Sequence, residues 1–224
     1  MKTITLVGWK RPELLKRVIE SLRKNNNAGY CLIGLVDASY DPDCYSLLYD
    51  VGFMPKHVVR LDQHHGIDYA QKRAIEEALR FGSDMNFAIE EDTVLSPDCL
   101  DLVNWWYRHH DGVLCAFNYS RSFDNPEAVL DPYKVGTTEF NAWGWATRAK
   151  TLKHLFRYWL EDALGWDVSV KIRCQKAGFR VYQPVLSRVL NIGPEGSHYT
   201  PRLFEEHFGG VVASDGTRRN FYLE

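Results

Sequence analysis

Residues 85–92 read Met-Asn-Phe-Ala-Ile-Glu-Glu-Asp, a mostly apolar run that is followed at once by three acidic residues. The run 85–89 predicts a strand, which places Glu90, Glu91 and Asp92 at its carboxyl end. Open α/β sheets bind their ligands at that end of the strands, and carboxylate oxygens suit Mg²⁺ or Mn²⁺. The stretch therefore predicts a divalent-cation site that holds a diphosphate, with Asp92 as direct ligand. A solvated acidic turn is the alternative interpretation.

The pattern around this stretch predicts a single α/β domain over residues 1–224. Strands are expected at 4–7, 31–36, 57–61, 85–89, 113–119, 140–146, 179–183 and 188–191. Helices are expected from Pro12, at 46–49, from Gly66, from a Ser96 cap, at 149–159 and at 167–177. Strands that alternate with helices favour a mostly parallel sheet. The polar stretch 120–137 is predicted to be a loop that covers a site.

Composition narrows the class of protein. The 224 residues are 45% hydrophobic, and the formal net charge of -2 gives no reason to expect broad binding to nucleic acid. The first residues turn polar too early for a signal peptide, and no stretch reaches the roughly 20 apolar residues of a membrane span. Five cysteines without a CxxC pair are typical of reduced thiols. We therefore expect a cytoplasmic protein without a membrane span.

Two other loops follow predicted strands. Asp37 follows the second strand and is able to accept hydrogen bonds from a nucleobase or ribose, or simply to begin an Asx turn. Lys10 and Arg11 follow the first strand. Each is long enough to reach a diphosphate, although solvated basic residues would look the same.

Asp167 and His198 are the candidates in the second half of the chain. Asp167 lies at the start of a predicted helix, where it is either a structural cap or a general base that takes a proton from a hydroxyl. His198 ends the glycine-rich segment 191–198 and is a candidate for metal or phosphate binding, or a structural residue. The pairs His64-His65 and His109-His110 are expected to be surface or loop residues.

Several segments in order resemble known sequences. Segment 4–12, Ile-Thr-Leu-Val-Gly-Trp-Lys-Arg-Pro, resembles the first strand and loop of family 2 glycosyltransferases. Segment 90–98 is similar to the Glu-Asp-Asp strand end and downstream Pro-Asp of the N-acetylglucosaminyltransferase I type (family 13). Further similarities to that family are found at Trp143–Trp145, Trp166-Asp167, Pro184–Arg188 and Gly193–His198. The chain thus resembles glycosyltransferases of the GT-A fold, which is Rossmann-like with helices on both faces of the sheet.

The resemblance implies an inverting transfer of a hexosyl or N-acetylhexosaminyl group from a UDP-sugar that is bound with Mn²⁺ or Mg²⁺. It implies that Asp92 holds the metal, that Glu90 and Glu91 position donor sugar and ribose, and that Asp37 recognises the base. Asp167 would then activate the acceptor hydroxyl, and Trp145 belongs to a segment that would pack against a sugar. Residues 1–119 would form the nucleotide-sugar half, and residues 120–224 the acceptor and catalytic-base half.

The acceptor and two rival functions stay open at this stage. A glycan or small glycoside is the first choice of acceptor, and a hydroxymethylated base in DNA is the alternative. A nucleotidyltransferase would need a glycine-rich phosphate loop after the first strand, where segment 8–12 has a single glycine. The remaining rival is a non-catalytic module that binds nucleotide-sugars.

Overall fold

The structure of the protein is a computed structural model that describes residues 1–37, 42–119, 131–157, 159, 165–194, 200–216 and 221–223. His198 and most of the predicted loop 120–137 lie outside these residues. No helix among the described residues is long and apolar enough to cross a membrane.

The chain alternates strands and helices along most of its length. The strands are β1 (Lys2–Gly8), β2 (Tyr30–Val36), β3 (Lys56–Arg60), β4 (Met85–Glu90), β5 (Thr93–Leu95), β6 (Val113–Cys115), β7 (Lys134–Thr137), β8 (Trp145–Arg148), β9 (Val181–Pro184), β10 (Val189–Asn191) and β11 (Tyr222–Leu223). The helices are α1 (Pro12–Arg23), α2 (Pro42–Tyr49), α3 (Ile67–Arg80), α4 (Cys99–His109), α5 (Ala149–Phe156), α6 (Trp166–Ala177) and α7 (Pro201–Phe208).

The large sheet has the strand order β11-β7-β9-β6-β8-β4-β1-β2-β3. Strands β3, β2, β1 and β4 run parallel, whereas β8 runs antiparallel to both of its neighbours. The register places Gly8 beside Val36 and Val7 beside Glu90. The carboxyl ends of β1, β2 and β4 therefore meet at one edge, as the pattern of strands and helices predicts.

Helices cover both faces of the sheet, because successive side chains of a strand point in opposite directions. Leu6 packs into the core that Leu15 and Leu22 of α1 complete, and Val7 packs on the other face against Ala70 and Ala74 of α3. Each fully buried leucine contributes roughly 1.5–3 kcal/mol. The predicted single α/β domain with a mostly parallel sheet is confirmed.

Strand β5 forms a second, small sheet with β10. The two strands run antiparallel, with Leu95 opposite Val189 and Thr93 opposite Asn191. The backbone amide of Ile192 then donates to the carbonyl of Asp92 at 2.8 Å. This small sheet carries the glycine-rich segment onto the acidic end of β4, a contact that the sequence pattern alone does not predict.

Helix α4 does not begin at Pro97 with Ser96 as its cap, which is the predicted start. It begins at Cys99, because the Ser96 carbonyl accepts from the Cys99 amide in a turn and the Ser96 amide donates to the Arg188 carbonyl. Asn25, at the end of α1, instead supplies the cap: its Oδ1 accepts from the backbone amide of Leu100 at 2.9 Å. The predicted start is therefore two residues too early, and a distant side chain replaces the local cap.

Several boundaries in the second half also differ from the predictions. The strand predicted at 113–119 ends at Cys115, and the strand predicted at 140–146 occupies Trp145–Arg148. Strands β5, β7 and β11 and helix α7 were not predicted. Three of these elements have four residues or fewer, so they are too short for an apolar period to identify them.

Candidate active site

Glu91 connects the acidic end of β4 to the loop after β1. Its side chain is 5% exposed, and its Oε1 accepts a hydrogen bond from Arg11 Nε at 2.7 Å. Its Oε2 accepts one from the backbone amide of Trp9. Both carboxylate oxygens of Glu91 are thus engaged in orienting the loop that carries Lys10 and Arg11.

Asp92 has one engaged oxygen and one orphaned oxygen. Arg11 Nη2 donates to Asp92 Oδ2 at 2.8 Å, and the residue is 6% exposed. Asp92 Oδ1 is buried and has no hydrogen-bond partner among the described residues. A buried carboxylate oxygen without a partner is costly unless a ligand satisfies it. The buried Oδ1 of Asp92 is therefore suited to bind a ligand at this edge.

Gly193 packs directly against Asp92. A Cβ atom at position 193 would lie 2.5 Å from Asp92 Oδ2 and 2.8 Å from Arg11 Nη1. Real Cβ atoms do not approach other atoms this closely, so the contact requires glycine. Gly193 thus lets the backbone of the glycine-rich segment lie directly against the acidic cluster. His198 lies further along this segment, outside the described residues, and stays a prediction.

Glu90 is the half-buried member of the acidic cluster. Its Oε1 accepts a hydrogen bond from Gln71 Nε2 of α3 at 3.2 Å. Burial and the neighbouring charge of Asp92 raise the pKa of Glu90 to about 8, against the opposing effects of Gln71 and Arg11. The raised pKa means that a further negative charge beside Asp92 is unfavourable, and a bound cation would reduce that cost.

Asp37 shapes the loop before α3. Its oxygens accept from the backbone amides of His65 and Gly66, each at 2.9 Å. His64 Nδ1 lies 2.7 Å from Asp37 Oδ2. Gly66 has φ 88, a conformation that favours glycine, and it directly precedes the first residue of α3. Asp37 therefore holds a loop from the next βα unit and is not engaged in a local Asx turn alone.

An aromatic pair borders the same edge. The rings of Trp9 and His64 stack with centroids 4.0 Å apart and an interplanar angle of 4°. Lys10 Nζ lies 4.0 Å from the centroid of the Trp9 ring. His64 is exposed, as predicted for a loop residue, but its contacts with Trp9 and Asp37 join it to the candidate site.

Asp167 is an exposed residue in the first turn of α6. It is not the N-cap, because Gly165 occupies that position with φ 100. Trp166 is 4% exposed, and its ring stacks on that of Trp159 with centroids 5.3 Å apart. The tryptophan therefore anchors the helix start in the core and leaves Asp167 open to solvent.

Trp145 lies inside the core and does not line an open cleft. Its side chain is 1% exposed, and its ring lies 5.3 Å from Phe140 and 6.2 Å from Trp166. The ring therefore has no surface for a donor sugar in this arrangement, because the β-strand alternation turns it inward. Trp143, two residues earlier, is half-buried and packs edge-on against the exposed Tyr119 at 6.1 Å.

The donor set at this edge fits a cation that is shared with a ligand. The described residues contain no group of three or more His, Cys, Asp or Glu side chains arranged to hold an ion by themselves. Mg²⁺ and Mn²⁺ at nucleotide sites commonly need only one or two carboxylates, with phosphate and water completing the shell. The orphaned Oδ1 of Asp92 supplies such a carboxylate oxygen.

The structure gathers the predicted donor-side residues at a single edge of the sheet, with Trp145 as the exception. Those gathered are Lys10, Arg11, Asp37, Glu90, Glu91 and Asp92. The sequence reasoning did not single out Trp9, His64 or Gln71, which contact these residues. Trp9 and His64 follow predicted strands, and this position could have indicated that they belong to the site. Gln71 lies on an amphipathic helix, where nothing in the sequence indicates a role in the site.

Solved structures of glycosyltransferases share this fold. The mannosyltransferase PcManGT from Pyrobaculum calidifontis, in complex with GDP-Man and Mn²⁺, matches with a TM-score of 0.60 and 17% identity over 80% of this chain and 53% of that chain. S. aureus TarS 1-349 in complex with UDP-GlcNAc matches with a TM-score of 0.63 and 14% identity, over 88% of this chain and 60% of that chain. The complex of S. aureus TarS 1-349 with UDP matches with a TM-score of 0.62 and 13% identity. The match covers 86% of this chain and 61% of that chain.

These likenesses show a GT-A-like α/β fold. The chain spans between 53% and 61% of the length of these three structures, so it corresponds to part of each. No protein-family model and no curated protein sequence matches the chain. The particular resemblance to family 13 stays a prediction.

Proposed function

We propose that this protein is a glycosyltransferase that moves a sugar from a nucleotide-sugar, in the first instance a UDP-sugar, to a hydroxyl of a glycan or small glycoside. The observation that carries the proposal is Asp92, buried at the carboxyl edge of a GT-A sheet, with Oδ2 on Arg11 and Oδ1 without a partner in the described chain. Neighbours in fold whose structures hold GDP-Man or UDP-GlcNAc support the donor class.

Asp92 and Arg11 would hold the diphosphate end of the donor. Asp92 would bind Mn²⁺ or Mg²⁺, and the cation would neutralise charge on the departing diphosphate. The Arg11 guanidinium, fixed between Glu91 and Asp92, has the planar donor geometry that suits phosphate oxygens. Gly193 would let the backbone of segment 191–193 lie against the same group. We retain His198 as a proposed second contact to the metal or phosphate.

The nucleoside would lie against the loops that Asp37 and Glu91 hold. Asp37 fixes His64 and the amides of His65 and Gly66, so its proposed role in base recognition would be exerted largely through that loop. The exposed His64 and the half-buried Trp9 offer polar and aromatic groups beside Lys10. Glu90, with Gln71 behind it, would contact donor sugar or ribose hydroxyls.

Asp167 is our proposed general base in an inverting reaction. The acceptor hydroxyl would attack the anomeric carbon from the face opposite the diphosphate, and Asp167 would take its proton. The carboxylate of Asp167 is exposed in the first turn of α6, where an acceptor hydroxyl would be able to reach it. Residues 1–119 would supply the donor side, and the acceptor side would come from residues 120–224.

Ligand-linked stabilisation tests the proposal. The melting temperature would be measured with UDP-N-acetylglucosamine, UDP-glucose and GDP-mannose, each with and without Mn²⁺. Ligand at about 100 times its Kd adds about 2.7 kcal/mol, which corresponds to a rise of about 5 °C or more for a chain of this size. Asp92→Asn should abolish the Mn²⁺-dependent part of the rise, because it removes the charged ligand while preserving shape.

Asp84→Asn is the matched control, since Asp84 is an exposed carboxylate just before β4 at the opposite edge of the sheet. It should leave the Mn²⁺-dependent rise unchanged. The proposal fails if no nucleotide-sugar raises the melting temperature under either condition. Release of free UDP during incubation separates an enzyme from a binding module, which would stabilise with donor but release none.

A further inference from the structure

A cavity lies at the edge of the sheet opposite the acidic cluster. It has a volume of about 910 Å³ and lies between α5, α6 and the turn before β6. Arg148, at the end of β8, pairs in register with Met85, the first residue of β4, whereas Glu90 is its last. The length of β4 therefore separates this cavity from the proposed donor site. Its volume is within the range of small-molecule sites.

Six of the twelve residues that line the cavity are lysine or arginine. Among the described residues that line it, Asp111 is the single acidic one, and it pairs with Arg148 at 2.7 Å. Its six Lys and Arg residues are Arg148, Lys150, Lys153, Arg157, Arg173 and Lys176. This concentration occurs in a chain whose formal net charge is -2. The positive charge is thus local, and it is not a consequence of a basic composition.

Most of this positive charge has no partner within the described chain. Lys150, Lys153, Arg157 and Lys176 are exposed, and none of them forms an ion pair with another described residue. Like charges that converge on a concave surface repel each other and focus a positive potential in the cavity. An anion that entered the cavity would relieve this repulsion, so the arrangement favours a ligand with several negative charges.

The cations form two rows on facing helices. Lys150, Lys153 and Arg157 are spaced i, i+3 and i+7 on α5 and its C-cap, which places them on one side of the helix. At 1.5 Å per residue this row spans about 10 Å. Arg173 and Lys176 are spaced i, i+3 on α6. Cations at intervals along a cavity suit successive phosphate groups better than a single carboxylate or sulfate.

We propose that this basic cavity binds an anion that carries several phosphate groups, at a site separate from the donor site. The concave shape favours a compact oligophosphate over a flat bilayer. The exposed large apolar side chains of the described chain also lie elsewhere, at Met1, Tyr49, Ile67, Tyr69, Phe81, Tyr119, Leu203 and Tyr222. Phe179, the large apolar residue of the lining, is half-buried, so no large apolar side chain of the described lining is exposed for insertion among lipids.

Isothermal titration calorimetry with sodium tripolyphosphate tests the proposal on the full chain, at low salt and at near-physiological ionic strength. Wild type should bind tripolyphosphate more tightly than orthophosphate, with an affinity that falls as salt rises. Lys153→Gln with Lys176→Gln removes one cation from each row and should weaken binding by about tenfold or more. Lys16→Gln with Lys24→Gln removes the same charge from exposed positions on α1 and should leave the affinity unchanged.

Three outcomes would overturn the proposal. Wild-type affinity in the Lys153, Lys176 variant, at an unchanged melting temperature, would show that the cavity is not the site. Loss of tripolyphosphate binding in Arg11→Gln instead would place the anion at the donor edge. Binding of phosphatidylglycerol–phosphatidylcholine vesicles without any binding of tripolyphosphate would assign the basic face to a membrane surface.

Discussion

Arg11 determines which oxygens of Glu91 and Asp92 are already hydrogen-bonded. Burial alone would lower the pKa of Arg11, but the carboxylates of Asp92 and Glu91 raise it above its ordinary value. The same guanidinium leaves Asp92 Oδ1 as the orphaned atom of the cluster. Because Arg11 binds Oδ2 of Asp92, Oδ1 is the oxygen of that carboxylate that is left for a ligand.

Asp167→Asn tests the proposed base at this scale. The substitution preserves size and removes the proton acceptor, so the rate of sugar transfer should fall by roughly 10²- to 10⁴-fold. Stabilisation by donor and Mn²⁺ should persist, because Asp167 is not proposed to contact the diphosphate. Single-turnover transfer and the melting temperature are the two measurements. Asp50→Asn, an exposed carboxylate after α2, is the control and should transfer at the wild-type rate.

Transfer at the wild-type rate in Asp167→Asn would remove Asp167 from the mechanism. It would leave the donor site intact, because the two proposals depend on different residues.

The N-terminus of helix α4 is capped by a side chain from another part of the chain. Asn25 accepts from the Leu100 amide through Oδ1, and its Nδ2 donates to the carbonyls of Ser21 and Ser96, each at 3.0 Å. The start of α4 and the end of α1 are therefore joined by a single buried amide. Residues 96–98 contain conventional cap and proline signals, but the cap comes from a residue 75 positions away.

Asn25→Ala should lower the free energy of unfolding by about 2 kcal/mol. The substitution removes a helix cap and leaves buried backbone groups without partners, and each effect is of order 1 kcal/mol. Urea denaturation followed by circular dichroism measures the loss. Asn26→Ala, at the exposed neighbouring position, should change stability by less than about 0.5 kcal/mol. Equal effects at the two positions would contradict the cap assignment.

Arg188 joins distant parts of the whole molecule. Arg188 and Asp98 are both 0% exposed, and Arg188 Nε lies 3.0 Å from Asp98 Oδ2. The same Asp98 oxygen accepts from Ser214 Oγ at 2.9 Å. The guanidinium also donates to the carbonyls of Leu186 and Pro132. One buried ion pair thus connects the turn before α4 with the segments before β7 and β10 and with the region after α7.

Arg188→Met should cost about 3–5 kcal/mol, because Asp98 is then a buried charge without its partner. Such a loss is a large fraction of the 5–15 kcal/mol that typically stabilises a domain. Arg202→Met is the matched control, since the Arg202–Glu206 pair on α7 is exposed and should contribute less than about 1 kcal/mol. Thermal unfolding compares the two variants, and similar losses would show that the buried pair is not a stabilising connection.

The sequence by itself determined the class of fold and the edge at which chemistry is expected. Apolar runs and helical periods are local properties, so β1, β2, β4, α1 and α3 were predictable from neighbouring residues. Parallel βαβ units then bring the residues after the strands to one edge. For this reason the sequence alone predicts that Lys10, Arg11, Asp37 and the acidic cluster lie at one edge of the sheet.

Only the tertiary structure decided which atoms are engaged, where Trp145 points and what covers Asp92. Gly193 reaches Asp92 through the pairing of β5 with β10, which joins segments almost 100 residues apart, and three-residue strands leave no periodic signal. The basic cavity depends in the same way on two helices that meet through packing. Pairings of this kind are set by the shape and burial of the whole chain, which a local pattern of residues does not record.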